Sequence, residues 1–280
     1  MEMMKKGFSS IVKLCVLVLF ATSLCFVYSC KKSSQEPPSP NSPGQPTTKE
    51  TKSDANDMAK APSEISTSKP PEVSEAPTTA KAGWAPIDIK LPKPMFVGTP
   101  QDTTVPNLEK PLGKERPPFL APIGTKNVAF EKPVTSTDDL PIIGELEMLT
   151  DGDKEAADGS YVELGPFKQS VTIDLEAEYN IYAIVFWHYH KQAVVYFDVV
   201  VQVADDPDFI TNVTTLFNND IDNSAGLGVG EDMHYTETAE GKLIDAKSVR
   251  ARYVRLYSNG NTSNDLNHYI EVEVFGKPAI

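Results

Sequence analysis

The chain has 280 residues, in which 26 Lys and Arg face 39 Asp and Glu, for a formal net charge of −13. That balance repels phosphate backbones, and no basic run interleaved with aromatics offsets it, so nucleic acid is excluded as a partner. The three cysteines, Cys15, Cys25 and Cys30, lie at the N-terminal end, which leaves the rest of the chain without a disulfide, a CxxC redox pair, a thiol nucleophile or a cysteine zinc site.

Lys5 and Lys6 precede an apolar run over residues 14–27, short for a membrane span and the right length for the hydrophobic region of an export signal. Val27-Tyr28-Ser29-Cys30 resembles a bacterial lipobox. Residues 1–29 therefore read as a lipoprotein signal peptide, and Cys30 as the acylated residue that anchors the chain to the cell-envelope membrane, facing periplasm or exterior. Residues 30–83 are crowded with Pro, Ser, Thr, Lys and Glu and contain no Phe, Tyr or Trp. Such a segment cannot bury enough apolar surface to offset its ordering entropy, so it is expected to be a disordered tether. Residues 84–120 mix recurring prolines with apolar anchors such as Trp84, Ile87, Ile89 and Phe119. Proline blocks ladders and helices while the anchors are costly to leave in water, which predicts an extended strap lying across the following domain. A partner-docking peptide is the other reading.

Residues 121–280 carry strand patterns. The stretches 171–175, 182–188 and 194–203 are rich in Val, Ile and aromatics, and no convincing amphipathic helix lies between them. In 194–203 the alternation puts Val195, Phe197, Val199, Val201 and Val203 on one face. In 252–257, Val254 and Leu256 oppose Tyr253, Arg255 and Tyr257. In 269–275, Ile270, Val272 and Val274 oppose Tyr269, Glu271, Glu273 and Phe275. Period-two runs at this spacing predict an all-β sandwich. Trp187 shares a face with Val185 and Ala183 and belongs to the core.

Four segments carry a family resemblance: NVAFEKPVT at 127–135, LTDGD at 149–153, VTIDL at 171–175 and the closing RYVRLYS…EVEVFG. Together, over roughly residues 121–276, they resemble the discoidin or coagulation-factor type C domain of the galactose-binding-like family. The resemblance implies a jelly-roll β-sandwich with loops gathered at both ends, acting as a binding module without catalysis. It also implies a structural calcium held by Asp151, the Ile270 carbonyl and Glu271. On residue chemistry alone, Asp151 and Asp153 flank Gly152 in a tight turn where oxygens can converge on a hard cation, or form an Asx-turn beside a solvated glutamate.

Candidate ligand-binding residues are His188, Tyr189, His190, His234, Tyr235, Asn259, Asn261, Asn264 and His268. All are expected at strand ends or loops, where aromatic rings stack on sugar C–H faces and amides or imidazoles fix hydroxyls. His188 and His190 share a strand face, which permits joint ligation of zinc or copper, although His-x-His alone is a weak signal. The acidic stretch 218–230 is too long for a simple turn and could cradle an ion, cover a face or form a lid. No GxSxG, HExxH or cysteine nucleophile occurs, so no enzymatic activity is expected. The function read from these features is glycan recognition by an envelope lipoprotein; the alternative is a structural module that binds another envelope protein.

Overall fold

Stretches rich in Val, Ile and Tyr pair into antiparallel ladders between residues 120 and 278, as β-branched and aromatic side chains favour. The computed structural model describes residues 82–96 and 105–279; the expected signal segment, Cys30 and all but the last two residues of the tether lie outside them. The strands are β1 (Trp84–Pro86), β2 (Leu120–Pro122), β3 (Lys126–Asn127), β4 (Val134–Ser136), β5 (Val162–Leu164), β6 (Gln169–His188), β7 (Val200–Ala204), β8 (Thr214–Asn218), β9 (Lys242–Ser258) and β10 (Asn267–Pro278). A 3-10 turn, Leu146–Thr150, precedes the LTDGD loop.

The two longest strands, β6 and β9, organise the domain. Residues 169–174 of β6 pair with 253–258 of β9, and β4 lies on the other edge of this half. Residues 179–186 pair with 242–251 of β9, and here the other neighbour is β10. β7 and then β8 extend the first half through β9, while β3 and β5 flank β10 in the second. One eight-stranded sheet is thereby folded across the middle of β6 and β9 into the two layers of a jelly-roll β-sandwich. The bends coincide with breaks in register after Asp174 and with left-handed backbone at Glu176 (φ 62°), Lys247 (φ 51°) and Ser248 (φ 64°). A local irregularity of this kind turns a strand without ending it.

Between the layers lie Ile173, Ile184, Phe186, Val201, Val254, Leu256 and Val272, all fully buried. Each such side chain contributes about 1.5–3 kcal/mol, so a core of this kind holds the sandwich without a disulfide. The expected strands 171–175 and 182–188 are one continuous strand. The 194–203 expectation is corrected: only its second half is strand, and Tyr196 meets Asn261 in an isolated bridge. Asp198 has left-handed backbone (φ 51°), so the alternation shifts there, and Tyr196, not Phe197, joins Val199, Val201 and Val203 in the core. A register shift between Tyr269 and Glu271 acts in the same way on β10. Tyr269 turns inward with Val272 and Val274, and Ile270 goes to the outer face with Phe275, the reverse of the expected sides for these two residues.

That outer face is apolar and covered. Ala183, Val185, Trp187, Ile270 and Phe275 form a second buried cluster, against which Ile87, Ile89 and Phe119 of the N-terminal strap pack. β1 and β2 pair with each other, the Ile87 amide donates to the Phe119 carbonyl at 2.9 Å, and Arg116 donates to the carbonyls of Glu240 and Gly241 at 2.9 Å each. The strap thus closes the hydrophobic side of the β10 layer that would otherwise face water.

At the opposite end of β10, Asn267 ties three segments together. Its side-chain amide donates to the carbonyls of Gly165 (2.8 Å) and Phe167 (2.9 Å), and its Oδ1 accepts from Ser258 Oγ (2.8 Å) and the Gly260 amide (2.9 Å). Asn267→Ala would leave these groups unsatisfied in a buried place, and is expected to cost about 2 kcal/mol of stability in a urea titration. A loss below about 0.5 kcal/mol would show that water replaces the amide.

Candidate functional site

β5 is short, and its alternation places Tyr161, just before the strand, and Glu163 on one side. β10 pairs with it so that His268 lies opposite Glu163. β6 ends at His188, and the next residue, Tyr189, turns back over the same spot. The Tyr161 and Tyr189 rings meet with centroids 4.5 Å apart and planes tilted by 41°, and the His268 ring lies 5.8 Å and 6.2 Å from them. Both tyrosines are half-buried. At the rim, Asp158 Oδ1 accepts from the Tyr189 hydroxyl at 3.2 Å and from Lys191 Nζ at 2.5 Å.

The electrostatics follow from these contacts. Lys191, with the Tyr189 hydroxyl, holds the Asp158 carboxyl below its ordinary range. Burial pushes the Glu163 carboxyl up. His268 is pushed down to about 4 by burial, with His188 adding to the effect, so the imidazole is neutral at neutral pH. Its hydrogen bonds agree: Nδ1 accepts from the Tyr196 hydroxyl at 2.8 Å, and Nε2 donates to Glu163 Oε2 at 3.1 Å. Two half-exposed rings framed by two carboxylates and an ammonium are suited to a ligand with one apolar face and several hydroxyls.

Of the nine ligand-binding residues expected from sequence, Tyr189 and His268 belong to this platform. His188 is fully buried, with Nδ1 2.7 Å from Glu237 Oε1 and its ring stacked on Tyr196 at 4.2 Å. His190 is also fully buried, with Nε2 3.0 Å from the Lys154 carbonyl. His234 is buried edge-to-face against Phe197, and Tyr235 lies in the core beneath Lys242 Nζ. Among the described residues no histidine joins a group of three metal-ligating side chains. The loop amides are turned inward as well. Asn261 Nδ2 donates to the Leu266 carbonyl at 2.9 Å, Asn264 Oδ1 accepts from the Leu266 amide at 2.9 Å, and Asn259 Nδ2 donates to Asp198 Oδ2 at 2.8 Å. Sequence reasoning missed Tyr161, Glu163, Asp158 and Lys191; the Tyr-x-Glu alternation in YVEL was the signal that could have found the first two.

Of the expected cation ligands, the Asp151–Asp153 loop reaches Glu271 through Gly152, while among the described residues Asp151, Asp153 and Glu271 do not converge as a group of three carboxylates. The Gly152 amide donates to Glu271 Oε2 at 3.2 Å, and the loop is shaped by Asx contacts from Asp151 Oδ1 to the Asp153 amide (2.8 Å) and from Asp153 Oδ1 to the Glu155 amide (3.0 Å). Gly152 has φ 90°, which a side chain would strain. Glu271 is fully buried and its Oε1 has no hydrogen-bond partner. Burial pushes its carboxyl up to about 9, with Glu273 and Asp151 acting in the same direction and the Gly152 amide and Lys154 opposing. An orphaned buried carboxylate oxygen beside an aspartate loop fits a hard, oxygen-seeking cation.

Two other features lie apart from both sites. The 218–230 stretch folds around Asp220, whose carboxylate accepts from the amides of Ser224 and Ala225 at 2.9 Å each, near Asp198 and Asp222. A groove of about 710 Å³ runs between the strap and residues 235–243, lined by Phe96, Leu112, Arg116 and Leu243 among others; it does not include the tyrosine platform.

No protein-family model matches the sequence, and no curated protein matches it. Solved structures do. The CBM32 module of AlyQ in complex with 4,5-unsaturated mannuronic acid is 19% identical with a TM-score of 0.38, over 52% of this chain and 96% of that one. Chitosan-binding module 1 from a chitosanase/glucanase of Paenibacillus sp. IK-5 is 18% identical with a TM-score of 0.36, over 54% and 98%. A CBM32 module produced by Clostridium perfringens, in complex with GlcNAc-alpha-1,4-galactose, is 15% identical with a TM-score of 0.41, over 55% and 96%. The architecture of this chain rests on its own strand pairing.

Proposed function

We propose that this chain is a non-catalytic carbohydrate-binding module of a cell-envelope lipoprotein, taking a glycan on the platform formed by Tyr161 and Tyr189. The observation that carries this reading is the half-exposed ring pair at one end of the sandwich, with Asp158 and Lys191 at its rim and Glu163 on His268 at its foot. Acylation at Cys30 would tether the module to the membrane, and the lipobox-like sequence supports that part. Asp151, Asp153, the Ile270 carbonyl and Glu271 would hold a structural calcium, which would staple the first loop to the last strand and take no part in chemistry.

The test is a glycan array probed with the full chain and with Tyr189→Ala. The natural chain is expected to give reproducible binding to a defined sugar class, and Tyr189→Ala to weaken it about tenfold or more, since losing one stacking ring removes on the order of 1.5 kcal/mol. A silent array from folded protein would sink the carbohydrate reading and turn attention to a protein partner.

A further inference from the structure

The charges around the platform select among sugars. Lys191 Nζ is held by Asp158 Oδ1 at 2.5 Å, so these two opposite charges offset each other at the rim. Glu163 stands on the same side of β5 as Tyr161, with its side chain 12% exposed at the foot of the platform. Its contact with His268 is not a charge pair: burial holds the imidazole neutral, and a single proton on Nε2 lets it donate to Glu163 while Nδ1 accepts from the Tyr196 hydroxyl. Among the described residues no Lys or Arg pairs with Glu163. The platform therefore carries one uncompensated negative charge, and its only ammonium is already engaged.

We infer that the site prefers a sugar with a free amine over the N-acetylated form and over a uronic acid, with Glu163 as the residue that reads the charge. This rests on the carbohydrate reading above and narrows it. A sugar ammonium donates to a carboxylate in a charge-assisted hydrogen bond. An N-acetyl group presents a neutral amide to the same oxygen, and a uronate presents a like charge with no guanidinium fork to receive it.

Isothermal titration of the full chain, near neutral pH and at low ionic strength so that the raised Glu163 carboxyl stays ionised, would use oligomers of glucosamine, N-acetylglucosamine and mannuronic acid of equal length. The glucosamine oligomer is expected to bind about tenfold more tightly than its N-acetylated counterpart, with the mannuronate weakest, and added salt should narrow the gap. Glu163→Gln keeps an acceptor for His268 while removing the charge, and should bring the first two affinities to within about twofold. Equal or tighter binding of the mannuronate, or a preference that survives Glu163→Gln, would overturn the charge assignment while leaving a sugar site. Failure of all three oligomers with folded protein would overturn this inference, while the glycan array decides the carbohydrate reading on its own.

Discussion

In metal-free buffer near neutral pH, Glu271→Gln is expected to be more stable than the natural chain by about 3 kcal/mol, and in saturating calcium to be the less stable of the two. Glu271 is fully buried, and its carboxyl is pushed up to about 9 from an ordinary value of 4.5. In the unfolded chain it is ionised near neutral pH, so folding without a cation must take up a proton there. Each pH unit above the unfolded pKa costs about 1.4 kcal/mol until the folded pKa is passed, or about 3 kcal/mol by neutral pH. The sign follows from the raised value. The carboxyl's contribution is fully favourable below about 4.5, is lost as pH rises toward about 9, and is flat beyond. A glutamine still accepts from the Gly152 amide and has nothing to ionise, so its stability curve lacks this slope. Calcium bound as proposed should reverse the order, because it would take the place of the proton on the natural chain, and its binding should release protons and tighten with pH over the same range. Urea titrations at several pH values, with chelator and with calcium, give both curves. A Glu271→Gln protein that loses equal stability in both conditions would mean that Glu271 serves only the Gly152 amide.

The residues that made the fold legible are those whose period carries information over several positions. Val254 with Leu256 and Val272 with Val274 point inward as their alternation requires, and Trp187 lies with Val185 and Ala183 in one buried cluster. Alternation failed wherever the backbone inserts an irregularity. Asp198 with left-handed φ and the register shift at Tyr269 each move a side chain to the other face, and neither is marked by a glycine. The candidate site was less legible for a related reason. His188, His190, His234 and Tyr235 are polar enough to suggest display, yet a polar group can be buried if it finds a partner, and partners distant in sequence cannot be read from composition. Glu237 lies 49 residues from His188, and His268 lies 105 residues from Glu163. Local turn chemistry explains the loop amides. Asn261 and Asn264 close their own loop, which is what Asn does at turns and is indistinguishable in sequence from ligand display. The Gly152 amide meets Glu271 across 119 positions, a pairing of loop and last strand that only the family resemblance suggested.

Glu237→Ala is expected to cost about 3–5 kcal/mol of stability. Glu237 and His188 are both fully buried, with Oε1 and Nδ1 2.7 Å apart. The imidazole is enclosed by rings: Tyr196 stacks at 4.2 Å, Tyr269 is tilted at 4.8 Å, and Phe186 meets it edge-on at 5.3 Å. Truncation removes a buried side chain, which leaves a cavity, and strips the imidazole of its acceptor in a place without access to water; each adds to the loss. The Tyr235 hydroxyl, 3.4 Å from Nδ1, is too distant to take over in full. His188→Leu combined with Glu237→Leu should be less damaging than Glu237→Ala, because replacing both members of the buried pair leaves only the Tyr235 hydroxyl short of a partner. A double-mutant cycle by urea denaturation would measure the coupling, and a value near zero would mean that the pair holds no stabilising interaction. The loss should also reach the surface. His188 supports Tyr196, whose hydroxyl bonds His268 beneath Tyr161 and Tyr189. A displaced Tyr196 releases the His268 ring that seats the platform, so the less severe Glu237→Gln should weaken sugar binding at temperatures where the protein remains folded. Unchanged sugar affinity in Glu237→Gln would confine this buried chain of rings to stability alone.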